Sequence, residues 1–389
     1  MAKVEDLKSK VAVLSKTYKS IGEPEFTKSG SVVFDALLGG GIPKGVFILW
    51  SAENGCGKST GSLHISKSYC VQGKKVLYLD YEGGVNKAQL DTMGLLKYLY
   101  SAETNPDGTF ILYQVQTYKD AEAILDSIMI NVDLVVIDSA TAMLTEKVKG
   151  ASSEDILPGQ DSRVMSIFLK KYKAEAVRNG ISWIIINQMR TKISFLGQTG
   201  DVEAGGNALK FYPDIRLQMK RAYKGVLERE EETATGAQKI PFGALCTIWA
   251  VKNRYARPMI PLALALIFGR GISNEYAYSD FLTNKGCIKK DGSWYYISIG
   301  TEKIKVQGMN KVIDWIKENK DIVKDFIKSC GGYQLIINET DPIISLESDP
   351  HFTEDIYGED VLVGNFDALS EIETDEDGVV VAPMEEDEE

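Results

Sequence analysis

Four apolar runs, each ending abruptly on polar residues, constrain this chain more than any other feature: "GVFILWSA" (45–52), "KKVLYLDYE" (74–82), "VDLVVIDSA" (132–140) and "ISWIIINQ" (181–188). A near-continuous apolar run of strand length fits a strand buried on both faces, which is the habit of parallel sheets covered by helices. Helix-period segments separate the runs, so the pattern predicts an α/β fold with a mainly parallel central sheet. In open sheets of this kind ligands sit at the carboxyl ends of the strands. The four polar ends are therefore expected to converge on one site. After the last run, residues 189–212 are basic, Gly-bearing and largely non-periodic before the chain turns apolar again. Long structureless loops inside compact domains are usually functional, so a binding loop is expected there.

The first run leads into "AENGCGKS", Ala52 to Ser59, and then into a helical segment. A Gly-rich turn between a strand and a helix, closing on Lys-Ser, is the pattern of a phosphate-binding loop, with Ala52 in place of the usual first glycine. Ala52, Glu53, Asn54, Gly55, Cys56, Gly57, Lys58, Ser59 and Thr60 form the expected nucleotide contacts. Backbone N–H groups from Asn54 to Lys58 would cradle phosphates at a helix N-terminus, Lys58 would reach the β- and γ-phosphates, and Ser59 would ligate Mg²⁺. Asp138 ends "LVVID" where a second Mg²⁺-shell oxygen belongs, and Glu82 stands at another strand end, where a carboxylate can orient and deprotonate water. Either carboxylate could instead cap a following helix. Gln188 can touch the γ-phosphate and pass its presence to the loop that follows.

The chain has 389 residues, 44% of them hydrophobic, enough for one large domain with smaller additions. No run approaches the roughly 20 apolar residues of a membrane span, and no secretory leader is visible, so a cytoplasmic protein is expected. Five cysteines without CxxC spacing argue against a zinc site and a disulfide framework. The net charge of −11 hides an asymmetry, since Gly331 to Glu389 carries 19 Asp and Glu and no Lys or Arg. Residues 1–330 hold all 44 basic side chains against 36 acidic ones, a balance of +8. Such a tail reads as a disordered arm that either solubilises the chain or competes with an anionic polymer for the basic body.

The order of motifs resembles the RecA family of ATP-dependent recombinases over Ser29 to Cys330, on "GSVVFDALLGGGIPKG", "VIDSATAML", "NQMRTKI", "GGNALKFY" and "VKNR" besides the phosphate loop. The resemblance implies ATP and Mg²⁺ as cofactors, Glu82 as the residue that activates water, and Gln188 as the γ-phosphate sensor. Lys252 and Arg254 match the pair that reaches ATP from the neighbouring subunit, and Asn86 and Phe268 join the nucleotide contacts, Phe268 from the next subunit. Two loops, 146–159 and 189–204, would bind DNA, with Arg163 and Lys170 on the helix after the first, Lys171 beside them, and Arg190, Lys192, Ile193, Phe195, Gly205, Gly206 and Asn207 in and after the second. Gln89 departs from the family's adenine-stacking aromatic, and Pro158 occupies a position where the first loop normally inserts an apolar side chain.

The implied organisation is an N-terminal oligomerisation segment (1–22), a RecA-like ATPase core (23–275), a small α+β unit that gates DNA (276–332) and the acidic tail (333–389). The implied function is a DNA-dependent ATPase that forms helical filaments on single-stranded DNA and exchanges strands with homologous duplex DNA. A single-stranded-DNA-binding protein and a loading mediator are the expected further partners. A recombination mediator without strand exchange and a ring helicase of the same core are the alternatives.

Overall fold

The computed structural model describes residues 23–143, 160–193, 199–203, 207–233 and 236–330, together with the two-residue strands Glu373–Thr374 and Val380–Val381. The N-terminal segment, the first expected DNA loop and nearly all of the acidic tail lie outside the described residues.

A short pairing of β1 (Phe26–Thr27) with β2 (Ile42–Pro43) brackets helix α1 (Val32–Leu38). Ser31 caps α1 by accepting from the Phe34 N–H at 3.4 Å, and Gly39 ends it in the left-handed region. The central sheet then begins with β3 (Phe47–Ala52), helix α2 (Lys58–Val71), β4 (Val76–Asp80), α3 (Lys87–Thr92), β5 (Phe110–Gln114), α4 (Tyr118–Ile128) and β6 (Leu134–Asp138). Helix α5 (Gln160–Asn179), β7 (Ser182–Ile193), β8 (Thr199–Glu203) and α6 (Asn207–Phe211) follow. The long strands β9 (Ile215–Thr233) and β10 (Gly236–Lys252), then β11 (Leu262–Ile267) and β12 (Gly271–Ser273), complete the sheet. Its order is β12-β11-β10-β9-β3-β7-β6-β4-β5, with β8 added beside β7. From β9 through β3 to β5 every pairing is parallel, whereas β9 to β12 run antiparallel to one another.

The four apolar runs are β3, β4, β6 and most of β7. Their side chains alternate between two cores. Ile48, Trp50, Tyr78, Val136 and Ile184 join the layer containing α1 and α2, and Phe47, Leu49, Leu79, Ile137 and Trp183 join the layer containing α4 and α5. Both faces are dry, so both sets of alternate positions are mainly apolar. Helix α2 lies very close to the sheet: a Cβ at Gly61 would come within 2.3 Å of the Trp50 ring, so only glycine lets the helix pass.

The expected loop after Gln188 is in part strand. β7 continues to Ile193 and pairs antiparallel with β8, Met189 opposite Glu203 and Ile193 opposite Thr199. Backbone groups that leave the sheet need partners, and a return strand supplies them locally.

The C-terminal unit comprises α7 (Asn274–Asn284), the three-stranded sheet β13 (Ile288–Asp291), β14 (Trp294–Ile299) and β15 (Glu302–Gln307), and helices α8 (Met309–Glu318) and α9 (Lys320–Ser329). Its core of Tyr276, Phe281, Ile297, Val312 and Ile316 continues into Leu227, Leu245 and Ile267 of the antiparallel half of the main sheet.

His64 of α2 is buried beneath β12, accepting at Nδ1 from the Ile272 N–H at 3.3 Å. Burial pushes its pKa down from 6.5 to about 4. Between those values the unfolded chain binds a proton that the folded chain refuses, so stability is full above about pH 6.5 and falls as the pH drops toward 4. The loss should reach about 3 kcal/mol across that window. Denaturant titrations at several pH values should show it, and His64→Leu should flatten this part of the profile.

Candidate active site

The C-terminal ends of β3, β4, β6 and the apolar part of β7 lie at one edge of the sheet, because their pairing is parallel and in step. Ala52 stands opposite Gln188, and Asp80 opposite Asp138. From Ala52 the chain turns through Glu53, Asn54, Gly55, Cys56 and Gly57 and enters α2 at Lys58, with Ser59 and Thr60 in its first turn. Gly57 has φ +81, a left-handed conformation that favours glycine in the turn. The Lys58 ammonium is buried and donates to the carbonyls of Ala52 at 2.9 Å and Glu53 at 2.7 Å. Burial lowers its pKa, opposed by the field of Cys56, Asp138, Glu82 and Glu53. A turn of this form, opening a helix beneath a buried cation, suits a polyphosphate.

Two buried carboxylates flank the turn. Asp138 is 3% exposed, and burial raises its pKa, opposed by hydrogen bonds from the Tyr78 and Ser59 hydroxyls. The Tyr78 contact is 2.7 Å, and the same phenol meets Ser62 Oγ at 2.9 Å. A carboxylate paired with a helix hydroxyl beside a phosphate cradle is an oxygen-donor set that fits Mg²⁺, which binds through one or two carboxylates, phosphates and water. Asp80 accepts the backbone N–H groups of Glu82 at 3.2 Å, Gly83 at 2.9 Å and Val85 at 3.0 Å. That turn fixes where Glu82 stands. Glu82 Oε1 in turn accepts Ser139 Oγ at 2.5 Å and Gln188 Nε2 at 3.1 Å. Lys58, Ser59, Asp138, Glu82 and Gln188 thus meet at one sheet edge.

Other expected residues lie elsewhere. Lys252 donates to the Pro213 carbonyl at 2.6 Å, and Arg254 pairs with Asp214 at 3.2 Å. Asp214 also accepts the Phe47 N–H, at the start of β3. Five residues of strand, roughly 17 Å, separate that level from Ala52. Lys252 and Arg254 therefore cannot reach their own chain's phosphate turn. Phe268 follows β11 at the same edge as the turn and is 51% exposed. Asn86 caps α3, its Oδ1 accepting from the Gln89 N–H at 3.0 Å. Arg163 and Lys170 are exposed on α5, but Lys171 is held by Asp126 at 2.9 Å and Glu122 at 3.7 Å of α4, away from the basic face expected for it. Arg190, Lys192 and Ile193 occupy the extension of β7, and Asn207 opens α6. Phe195, Gly205 and Gly206 lie outside the described residues.

The model of the RecA N-terminal domain matches residues 1–273. The chain belongs to the RecA family. It is 30% identical to Protein RecA of Malacoplasma penetrans (strain HF-2) over 305 residues, covering 77% of this chain and 85% of that protein. Against Protein RecA of Caulobacter vibrioides (strain NA1000 / CB15N) it is 29% identical over 332 residues, covering 85% and 87%. A crystal structure of the RadB recombinase overlaps 64% of this chain and 98% of its own, with a TM-score of 0.45 and 22% identity. Membership of the RecA family carries the general character of an ATP- and DNA-binding ATPase of recombination and repair.

Four residues at this RecA-type site carry no signature in the sequence. Asp80 and Ser139 lie within quoted runs but are visible only as strand-end polar residues. Tyr78 reads as one more apolar member of its strand. Arg221 of β9 donates to the Gly55 carbonyl at 2.7 Å, across 166 positions of sequence. Removing the Asp80 carboxylate takes the acceptor from three N–H groups, of which that of Val85 is buried. Asp80→Ala should destabilise the chain by about 3 kcal/mol in denaturant unfolding and should lower the rate of hydrolysis far more than the affinity for a fluorescent ATP analogue.

Proposed function

We propose that this chain is a recombinase that hydrolyses ATP under the control of single-stranded DNA, assembles on that DNA as a helical filament, and pairs it with homologous duplex. The observation that carries the reading is the contact between Gln188 and Glu82, because β7 runs from it without interruption into the β7–β8 hairpin. ATP would lie in the turn from Ala52 to Thr60, with Lys58 exchanging its two carbonyl partners for phosphate oxygens. Ser59 and Asp138 would hold Mg²⁺, which supplies charge neutralisation at the β- and γ-phosphates. Glu82 would take a proton from the attacking water, and the Gln188 amide, now shared with Glu82, would turn toward the γ-phosphate. That rotation changes the end of β7 and hence the hairpin, where Arg190 and Lys192 would meet DNA phosphates, Ile193 and Phe195 would contact bases, and Gly205, Gly206 and Asn207 would close the DNA-facing segment. Arg163 and Lys170 would add phosphate contacts from α5. Asn86 and Phe268 would border the nucleotide.

Glu82→Gln should preserve ATP and DNA binding and lower turnover by a factor of about 10²–10⁴, the range for loss of a general base. The parent chain should hydrolyse ATP slowly alone and much faster with single-stranded DNA. Equal rates with and without DNA across a salt series would sink the coupling.

The distance of Lys252 and Arg254 from their own phosphate turn supports a role across the subunit boundary. Two cations brought to the γ-phosphate by a neighbour would stabilise charge there only in the assembled state. Lys252→Ala with Arg254→Ala should lose DNA-stimulated hydrolysis while staying folded, since the buried Asp214 keeps Lys173 and the Phe47 N–H as partners. Mixing that variant with Glu82→Gln should recover part of the activity, because one of the two mixed junction types then holds Glu82 and both cations intact. No recovery, or a full rate from a monomeric preparation, would overturn the assignment. Electron microscopy with ATP and single-stranded DNA separates filament, ring and monomer.

A further inference from the structure

The outer face of the C-terminal sheet carries two aromatic rings that the fold does not use. In β14, Tyr295, Ile297 and Ile299 point into the core, while Trp294, Tyr296 and Ser298 point outward. Trp294 and Tyr296 are each 39% exposed. The register sets Tyr296 between Lys289 and Lys305, and Ser298 opposite Lys303. The Lys305 ammonium lies 4.4 Å from the Trp294 ring centre and 5.3 Å from that of Tyr296. Asp291 and Gln307 flank Trp294 in the same register. One carboxylate therefore shares this face with three lysines.

We propose that the face formed by Trp294, Tyr296, Lys289, Lys303 and Lys305 binds single-stranded nucleic acid by stacking unpaired bases on the two rings. The inference rests on DNA being this chain's polymer, as proposed above, and adds a second contact surface outside the central loops. Aromatic platforms interleaved with cations suit single strands, because every base has a face that can stack while the lysines follow the phosphates. A duplex would meet the lysines alone, since its bases are already stacked on one another. The spacing argues the same way. Residues two apart on a strand stand about 7 Å from each other, roughly twice the 3.4 Å rise per nucleotide of a duplex strand. Two neighbouring bases can thus occupy the two rings only when the strand is extended and its bases are splayed. The Lys305 stem is flexible enough to move its ammonium from the rings to a phosphate as a base arrives.

The chain contains a built-in reporter. Of its five tryptophans, Trp50, Trp183, Trp249 and Trp315 are buried, and Trp294 alone is exposed to a ligand. Tryptophan emission of the full chain, without ATP, would be titrated with a thymidine oligonucleotide, an abasic strand of the same length and charge, and a blunt duplex. The thymidine strand should quench Trp294 with a midpoint at least about tenfold lower than either competitor, the scale expected for one stacked base. Tyr296→Leu, which keeps the reporter, should raise that midpoint about tenfold, and Tyr296→Phe should restore it. Equal midpoints for all three probes, or no effect of Tyr296→Leu, would reduce the face to a phosphate-binding surface and overturn the proposal. An unquenched Trp294 would exclude nucleic acid from it altogether. ATPase rates of the parent with and without DNA, measured alongside, show separately whether the recombinase reading has failed.

Discussion

Asp80 and Asp138 stand side by side in the parallel pairing of β4 and β6, almost wholly removed from water. Two neighbouring carboxylates in a dry environment are strongly unfavourable unless each is supplied with donors. The site is largely the arrangement that supplies them. Asp80 takes three backbone N–H groups and in doing so forms the turn that carries Glu82. Asp138 takes the Tyr78 and Ser59 hydroxyls, which ties the second strand to the first turn of α2. The need to satisfy two buried charges thus positions Glu82, the oxygen pair of Asp138 and Ser59, and the turn from Ala52 to Thr60 relative to one another.

The sheet divides its work by strand direction. Parallel pairing brings the carboxyl ends of β3, β4, β6 and β7 together, which builds the nucleotide edge. The antiparallel half returns the chain to the opposite edge, where Lys252 and Arg254 are anchored to Pro213 and Asp214. With the turn from Ala52 to Thr60 at one edge and the anchored pair Lys252 and Arg254 at the other, the proposed completion of each site by a neighbouring copy would need head-to-tail contact. The same antiparallel half supplies Leu227, Leu245 and Ile267 to the core of the C-terminal unit. The outward face of that unit's own sheet, with Trp294 and Tyr296, is left exposed.

Much of the site was legible in the sequence. "AENGCGKS" between an apolar run and a helical segment reports a phosphate turn locally, and Glu82, Asp138 and Gln188 each end an apolar run. Part of what escaped depended on a partner distant in sequence. Lys171 reads as a basic neighbour of Arg163 and Lys170, yet Glu122 and Asp126 on α4 claim it. Arg221 shows no pattern at all, because its target is a carbonyl. The extension of β7 was hidden for a related reason: a strand whose partner is the next segment of chain, outside the two-faced core, needs no apolar alternation.

The sequence by itself determined the class of the fold, the two-faced burial of its strands, the glycine turn between β3 and α2 and the polar residues at the strand ends. These follow from local periodicity, glycine placement and strand-end polarity, which act over a few residues. Only the tertiary structure decided that Glu82 shares Ser139 and Gln188, that Tyr78 holds Asp138, that Arg221 clasps Gly55, and that Lys252 and Arg254 lie too far away to serve their own nucleotide. Those facts depend on which strands are neighbours and in what register. Register is set by the packing of two cores at once, and no short stretch of sequence contains it.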